Sequence, residues 1–255
     1  MKTYVISSDI RRALSTPGFI VSMIGVVLVI ALASADSVIE AVRSGAPLAN
    51  GYHAQIIIDA FSSDGFTLAL PILCALPYTA AFVDDMKSGY IKLYLHRSGA
   101  KSYVKGKIVA CAFSGGLALL LGILLAYALS ALVFTPMELA LGEEEATQPY
   151  PAQLLLKSAT LFFSGAFWSL TGGTFAAATR SKYMAYASPF IFYYVLIILH
   201  ERYFEDLYVV YPREWLLQSE PWPLGGFGVM LLLALLSAIV SLCFAIIAGR
   251  RLENA

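Results

Sequence analysis

Six long runs of apolar residues determine what this chain can fold into. A helix needs about 20 residues to cross the roughly 30 Å hydrocarbon core of a bilayer, and only helices or closed barrels satisfy their backbone there. The runs are too long for barrel strands. The sequence, which is 59% hydrophobic and 13% charged, therefore predicts an all-α polytopic membrane protein. The predicted spans are residues 18–35, 66–83, 108–134, 154–178, 184–199 and 225–248, in a single domain over 1–255.

The first run could also be read as a cleaved signal peptide. Cations precede it, and Ala33 and Ala35 fit the small-residue rule of a signal-peptidase site. The apolar core is long for a signal peptide, however. We therefore expect this run to be a true membrane helix.

Positive charges are concentrated on one side of the predicted bundle. Most of the seventeen Lys and Arg residues lie in the N-terminal segment, in the loop 84–107, at 180–182 and at 250–251, while the opposite segments hold most of the acids. Loops rich in Lys and Arg stay on the cytoplasmic side. We therefore expect both termini in the cytoplasm and the chain in the plasma membrane.

Residues 1–16 are predicted to form an amphipathic helix on the inner membrane surface. Ile6, Ile10 and Leu14 are spaced by four residues and share one helical face, with two arginines off that face. A proline then separates this helix from the first span. The alternative is a frayed tail whose cations only set the topology.

The loop 84–107 mixes apolar and basic side chains, and Gly89 and Gly99 bracket a stretch that could be helical. Its cations would attract anionic lipid in any case, so a purely topogenic loop is one interpretation. That interpretation does not account for the apolar residues that we expect to be exposed. They suit a docking surface for another protein, and they are Tyr90, Ile91, Tyr94 and Leu95.

Together these features resemble the permease subunits of ABC-2-type ABC transporters. In that family an acidic residue commonly follows the inner end of span two, and a glycine lies a few positions further on. Asp84 or Asp85 and Gly89 take these places here, with Asp where Glu is common. The likeness covers the whole chain as an architecture, with six spans and an N-terminal elbow helix.

The resemblance implies a separate ATPase subunit that binds ATP and Mg²⁺. The other implied partners are a second permease copy, as a homodimer or a similar heterodimer, and the lipid bilayer, with no nucleic acid among them. The elbow helix and a cytoplasmic coupling helix within 84–97 would contact the ATPase. The implied coupling residues are Ile10, Arg11, Arg12, Asp84, Asp85, Lys87, Gly89, Tyr90, Ile91, Tyr94 and Arg97.

The sequence carries no catalytic signature of its own. It lacks G-x-x-x-x-G-K-[S/T] for nucleotides, H-E-x-x-H and G-x-S-x-G, and its three histidines are scattered. Asp84 and Asp85 begin a pattern similar to the D-D-x-x-D of membrane prenyltransferases, but Ser88 stands where the second ligand group belongs. We expect no enzymatic activity, cofactor or metal site in this chain.

Spans two and five contain candidates for a translocation path. Prolines free backbone carbonyls and bend helices, and tyrosines near them could line a path that moves. Ordinary kinking and packing is an equally good explanation. The candidates are Pro71, Pro77, Tyr78, Pro189, Tyr193 and Tyr194.

Lys157 is the only charge that the sequence places clearly within a predicted span. A charge inside the membrane is a functional candidate by default. Lys157 lies near the outer end of span four, however, where a lysine can extend to the lipid headgroups. We expect that position for it.

Small residues recur at every fourth position in spans three and six, which lets helices approach closely. Packing within one subunit and a dimer interface explain them equally well. The two sets are Ser114, Ala118, Gly122, Ala126 and Ser130, and Ser237, Ser241, Ala245 and Gly249.

We therefore predict a permease subunit of an ABC-2-type exporter with an undefined substrate. The main alternative is an ATPase-independent secondary transporter or channel, which usually has a charged or polar site near mid-membrane. The predicted spans offer no such site. A membrane-embedded enzyme would need clustered polar residues at an interface, and a structural scaffold stays open.

Overall fold

The structure, a computed structural model, describes residues 2–45, 47–91, 95, 99–139 and 150–253. These residues form helices joined by turns, and the β-structure among them is one isolated bridge between Leu48 and Glu138. The all-α fold is confirmed. The helices are α1 (Lys2–Leu14), α2 (Pro17–Ala33), α3 (Ala35–Ser44), α4 (Tyr52–Ala60), α5 (Asp64–Ala75), α6 (Ala81–Lys87), α7 (Ala100–Phe134), α8 (Tyr150–Thr179), α9 (Lys182–Tyr203), α10 (Glu214–Leu217) and α11 (Gly226–Glu253).

Four helices, α7, α8, α9 and α11, are each long and apolar enough to cross a membrane. They coincide with the last four predicted spans. Two further pairs pass the same test only when each pair is taken together, because α1 and α2 are bent by 54° and α4 and α5 by 74°. The described residues therefore contain four to six candidate spans, which is consistent with a membrane protein.

The second predicted span is not one continuous helix. The helix α5 ends at Ala75, and α6 begins only at Ala81. Pro77 cannot donate a backbone hydrogen bond, and the break leaves carbonyls that need other donors. The hydroxyl of Ser22 donates to Leu73 O at 2.8 Å, and the hydroxyl of Thr16 lies 2.8 Å from Pro77 O. The prediction of one helix over 66–83 is wrong, because the helix is interrupted around Pro77, and hydroxyls from the start of α2 satisfy carbonyls of the interrupted segment.

Two helices lie between the first two predicted spans, where the sequence predicts none. The helix α4 buries Ala54, Ile56, Ile57 and Ala60 and packs against α7 and α8. The helix α3 has buried Ala41 on its inner face, while Ile39 and Val42 stay exposed. These short helices cover one end of the bundle and carry three acidic residues, Asp36, Glu40 and Asp59. We call this end the acidic end.

The centre of the bundle is the pair α7 and α8, which pack through small residues. A Cβ atom on Gly115 would lie 2.4 Å from Ser169 Cβ and 2.8 Å from Gly165 O. The predicted small-residue positions of α7 are all buried within this chain, so packing inside the chain accounts for them. The corresponding positions of α11 are only partly buried, and Gly249 has open space beside its Cα.

At the acidic end, Glu138 joins the start of α4 to the segment that follows α7. Its carboxylate accepts hydrogen bonds from the backbone N–H groups of His53 at 2.8 Å and Gly51 at 3.1 Å. The other contact is with the ring, where His53 Nδ1 lies 2.7 Å from Glu138 Oε1. One carboxylate therefore holds two backbone donors and a ring in place.

Acidification is expected to loosen this junction. Partial burial by itself raises the pKa of Glu138, but the hydrogen bonds from His53 and Gly51 outweigh it and hold the pKa below its ordinary value. A lowered folded-state pKa gives stability that is present above the unfolded value of about 4.3 and is lost as the pH falls through the folded value. We expect Glu138→Gln to cost about 1 kcal/mol at neutral pH.

The measurement is thermal unfolding of both proteins in detergent as a function of pH. The difference between them should shrink as the pH falls below about 4, because protonated Glu138 and glutamine then make similar contacts. A difference that stays constant down to low pH would contradict this account.

Candidate functional site

The helix α1 packs against α7 through a face that includes a carboxylate. Val5, Asp9 and Ala13 are spaced by four residues and are buried. Ile6, Ile10 and Leu14, the face predicted from the sequence, are only partly buried. Gly106 of α7 makes the close approach possible, since a Cβ atom there would lie 2.6 Å from Asp9 Oδ2 and 3.2 Å from Val5 Cγ1.

Lys107, one residue further along α7, lies at the centre of a buried charge cluster. Its side chain is almost inaccessible, with 2% of the residue exposed. The ammonium nitrogen is 2.7 Å from Asp85 Oδ2, 3.0 Å from Asp9 Oδ1 and 2.8 Å from the Tyr78 hydroxyl. The ammonium donates hydrogen bonds to Asp9 and to Tyr78, and it forms an ion pair with Asp85. The three partners come from α6, from α1 and from the turn between α5 and α6.

Two tyrosines complete the cluster around Lys107. The Tyr78 hydroxyl donates to Asp9 Oδ1 at 2.9 Å, and the Tyr103 hydroxyl donates to Asp85 Oδ2 at 2.8 Å. Their ring centroids lie 4.9 Å and 5.2 Å from Lys107 Nζ. Both carboxylates are therefore bound to a phenol as well as to the lysine.

Arg12 closes the cluster on its accessible side. Its guanidinium lies 2.7 Å from Asp85 Oδ1 and 5.7 Å from the centroid of the Tyr90 ring. Two carboxylates, Asp9 and Asp85, thus face two cations, Arg12 and Lys107, so the cluster is neutral overall. Buried charges are tolerated when they are paired and hydrogen-bonded. We call these four residues with Tyr78 and Tyr103 the Lys107 cluster.

The predicted coupling residues of the loop have different surroundings. Asp85 is buried in the Lys107 cluster, whereas Asp84 is half-buried and forms an ion pair with Lys182. Gly89 has a φ of +72°, which favours glycine. Lys87 is exposed, as are Arg11 and Gly89.

Of the apolar residues expected to be exposed in the loop, Tyr90 is 43% exposed but Ile91 is only 3% exposed. Ile91 packs with Phe82, Tyr103 and Phe244, so its predicted exposure is wrong. The reason is that α11 and α7 cover this side of the segment. Leu95 is partly buried against the same group of residues. Tyr94 and Arg97 lie outside the described residues.

The six predicted path residues do not share one environment. Tyr78 belongs to the Lys107 cluster, and Tyr194 is 40% exposed on the surface of α9. The other four, Pro71, Pro77, Pro189 and Tyr193, are buried. Helices α5 and α9 contact each other. Pro71 lies inside α5 and Pro189 inside α9, so the two helices with these internal prolines are neighbours. Their role in a path stays a prediction.

Asp9, Tyr103 and Lys107 are not among the residues predicted for the site. The sequence places Lys107 in the loop, whereas α7 starts at Ala100 and includes it. The view that Lys157 is the only charge within a predicted span stays a prediction, because Lys107 lies one residue before predicted span three, near the start of α7. A signal existed, because Lys107 lies seven residues before Ser114 and so on the small-residue face of α7. Lys101 and Lys105 are off that face and exposed.

The Lys107 cluster can act chemically as a proton-holding site or mechanically as a joint between helices. A group of three His, Cys, Asp or Glu side chains that could hold a metal ion does not occur in the part of the chain that the structure describes. Asp9 Oδ2 is buried without a hydrogen-bond partner among those residues.

The chain matches no protein-family model, no curated protein and no solved structure.

Proposed function

We propose that this chain is the membrane subunit of an ABC-2-type exporter, driven by a separate ATPase that binds ATP and Mg²⁺. It would work with a second permease copy in the plasma membrane, with both termini in the cytoplasm. The observation that supports this most is the Lys107 cluster. It ties α1, α6 and the start of α7 together at one end of the bundle, which we call the basic end.

In this proposal α1, α6 and the start of α7 move as a unit. Separating α1 or α6 from α7 would leave Asp9, Asp85 or Lys107 buried without a partner, which is strongly unfavourable. A push on α1 or on the segment after α6 would therefore reach α7, a 35-residue helix that extends from the cluster to the acidic end. Closely packed interiors transmit such displacements.

In this proposal α1 is the elbow helix, bent by 54° from α2, and α2 and the α5–α6 region are the first two of six spans. Arg11, Lys87 and Tyr90 are exposed at the basic end. They would provide the docking contacts for the ATPase. The buried residues Asp85 and Ile91 would position that surface instead of touching the partner.

Co-purification tests this proposal. The chain is expressed with its neighbouring reading frames and extracted in mild detergent, and we expect a soluble protein with a P-loop to co-purify stoichiometrically. The variant Lys87→Glu/Tyr90→Asp should lose that protein while it keeps its own yield and gel-filtration profile, because both side chains are exposed. The control is Tyr203→Asp, which alters an exposed tyrosine at the far end of α9. Purification without any ATPase would contradict the proposal.

A second candidate function is an ion-coupled transporter without an ATPase. The observation that favours it is that the Lys107 cluster places two carboxylates and an amine inside the helix bundle, the kind of group that proton-coupled carriers use. The two candidates are distinguished in liposomes that contain only this chain. Transport driven by a pH gradient and lost in Asp9→Asn would favour the carrier.

A further inference from the structure

Two cavities at the acidic end adjoin each other and differ in chemistry. One is an apolar groove of about 210 Å³ between α2, α4 and α7, lined by Val27, Ala31, Val38, Ile57 and Leu129 among others. Two serines also line the groove, but their hydroxyls donate to backbone carbonyls of the protein. The groove therefore offers hydrocarbon to a ligand and few polar contacts.

The second cavity, of about 340 Å³, lies between α3 and α4. Its lining includes the acidic residues Glu40 and Asp59. The other lining residues are Ser37, Ala41, Ser44, Leu48, Tyr52 and Ile56. Its wall carries no cationic side chain among the described residues. A cation is therefore the ligand group that this cavity suits best.

The two cavities meet at Ile56 of α4, which lines both. The adjacent residues Ser37 and Val38 of α3 line the acidic cavity and the groove respectively. An apolar groove and an acidic cavity thus lie side by side along α3. Leu129 and Val133 at the groove are exposed on the surface of α7, so a hydrocarbon chain could enter from the bilayer.

The two carboxylates are available for a ligand. Among the ion pairs within the described ranges, none involves Glu40 or Asp59. Lys157 of α8 attracts Asp59 electrostatically, but it lines neither cavity. Both carboxylates are exposed, so substitutions there should not disturb the core.

We propose that this pair of cavities binds an amphipathic cation, a molecule with one hydrocarbon chain and an amine or quaternary ammonium head but no phosphate. The chain would lie in the groove and the ammonium beside Glu40 and Asp59. The Tyr52 ring adds a surface that favours quaternary ammonium groups. A bilayer phospholipid is a poorer occupant, since its phosphate would face the same two carboxylates.

The test is binding to the purified chain in phosphatidylcholine nanodiscs. The probe is a dansyl-labelled alkyltrimethylammonium, with the dansyl alkyl sulfonate of equal length and empty nanodiscs as references. We expect the ammonium probe to bind and the sulfonate not to bind above background. Glu40→Gln and Asp59→Asn should each weaken binding about five-fold, and the double variant should bring it close to background.

Asp36→Asn is the matched control. Asp36 is an exposed carboxylate on α3, the helix that also carries Glu40, and Asp36 itself lines neither cavity. It should bind the probe as the parent chain does. Lys157→Gln should tighten binding slightly, since it removes a positive charge that acts on Asp59. Gel filtration of each variant checks that it is folded.

Three results would overturn the proposal. They are equal binding of the sulfonate, unchanged binding in the double variant, and displacement of the probe by phosphatidylethanolamine added to the nanodiscs, which would make the occupant a bilayer lipid. The measurement uses the chain alone. Its outcome therefore does not depend on whether an ATPase partner exists. The exporter proposal is tested separately, by co-purification.

Discussion

Replacement of Lys107 by methionine is expected to lower the free energy of unfolding by about 3–5 kcal/mol, the range for removal of one partner from a buried ion pair. Methionine has a similar length but leaves Asp9 with no cation beside it, and Arg12 becomes the only cation paired with Asp85. The measurement is unfolding of the purified chain in detergent, followed by tryptophan fluorescence.

The control is Lys105→Met on the same helix, where the lysine is exposed. It should change stability by less than about 0.5 kcal/mol. The double variant Lys107→Met/Asp9→Asn should recover part of the loss, because it removes the unpaired charge along with its partner. Equal effects of Lys107→Met and Lys105→Met would show that the buried cluster contributes little.

Gly115→Leu is expected to cost about 3 kcal/mol, the upper part of the range for overpacked interiors. The first atoms that a new side chain meets are Ser169 Cβ at 2.4 Å and the backbone oxygen of Gly165 at 2.8 Å. A backbone atom cannot rotate away, so α7 and α8 must separate. Their contact is among the most extensive in the bundle, and we expect a lower unfolding temperature and a lower yield of folded protein.

Gly249→Leu provides the matched control in α11. A Cβ atom at Gly249 meets no atom within 4 Å, and leucine is a better helix former than glycine by up to about 1 kcal/mol. This variant should be as stable as the parent chain or slightly more stable. If Gly115→Leu were equally harmless, the close contact of α7 with α8 would not be needed for stability.

The spans after residue 100 could be predicted because their signal is local. A run of apolar residues long enough to cross a bilayer must be helical, whatever surrounds it. Pro77 signals the break after Ala75 only in part, because the broken segment also needs donors for its carbonyls. Two of those donors are the hydroxyls of Ser22 and Thr16, which are distant in sequence.

The helix α1 has a second face that its sequence did not single out. The spacing of Ile6, Ile10 and Leu14 predicts an apolar face towards the membrane, and α1 is indeed a helix, while the row buried inside the protein is Val5, Asp9 and Ala13. A carboxylate in that row looks unfavourable until its partners are known. Lys107 and Tyr78, which make the burial of Asp9 possible, lie on other elements.

The sequence by itself determined the helical class, the positions of the long apolar helices and the asymmetric distribution of charge, since each follows from composition along a continuous segment. Only the tertiary structure decided which charges are buried, which face of α1 packs inward and that Ile91 is covered. Those outcomes depend on groups far apart in the chain, because the cost of burying a charge or closing a gap is set by the neighbours that the fold brings to it.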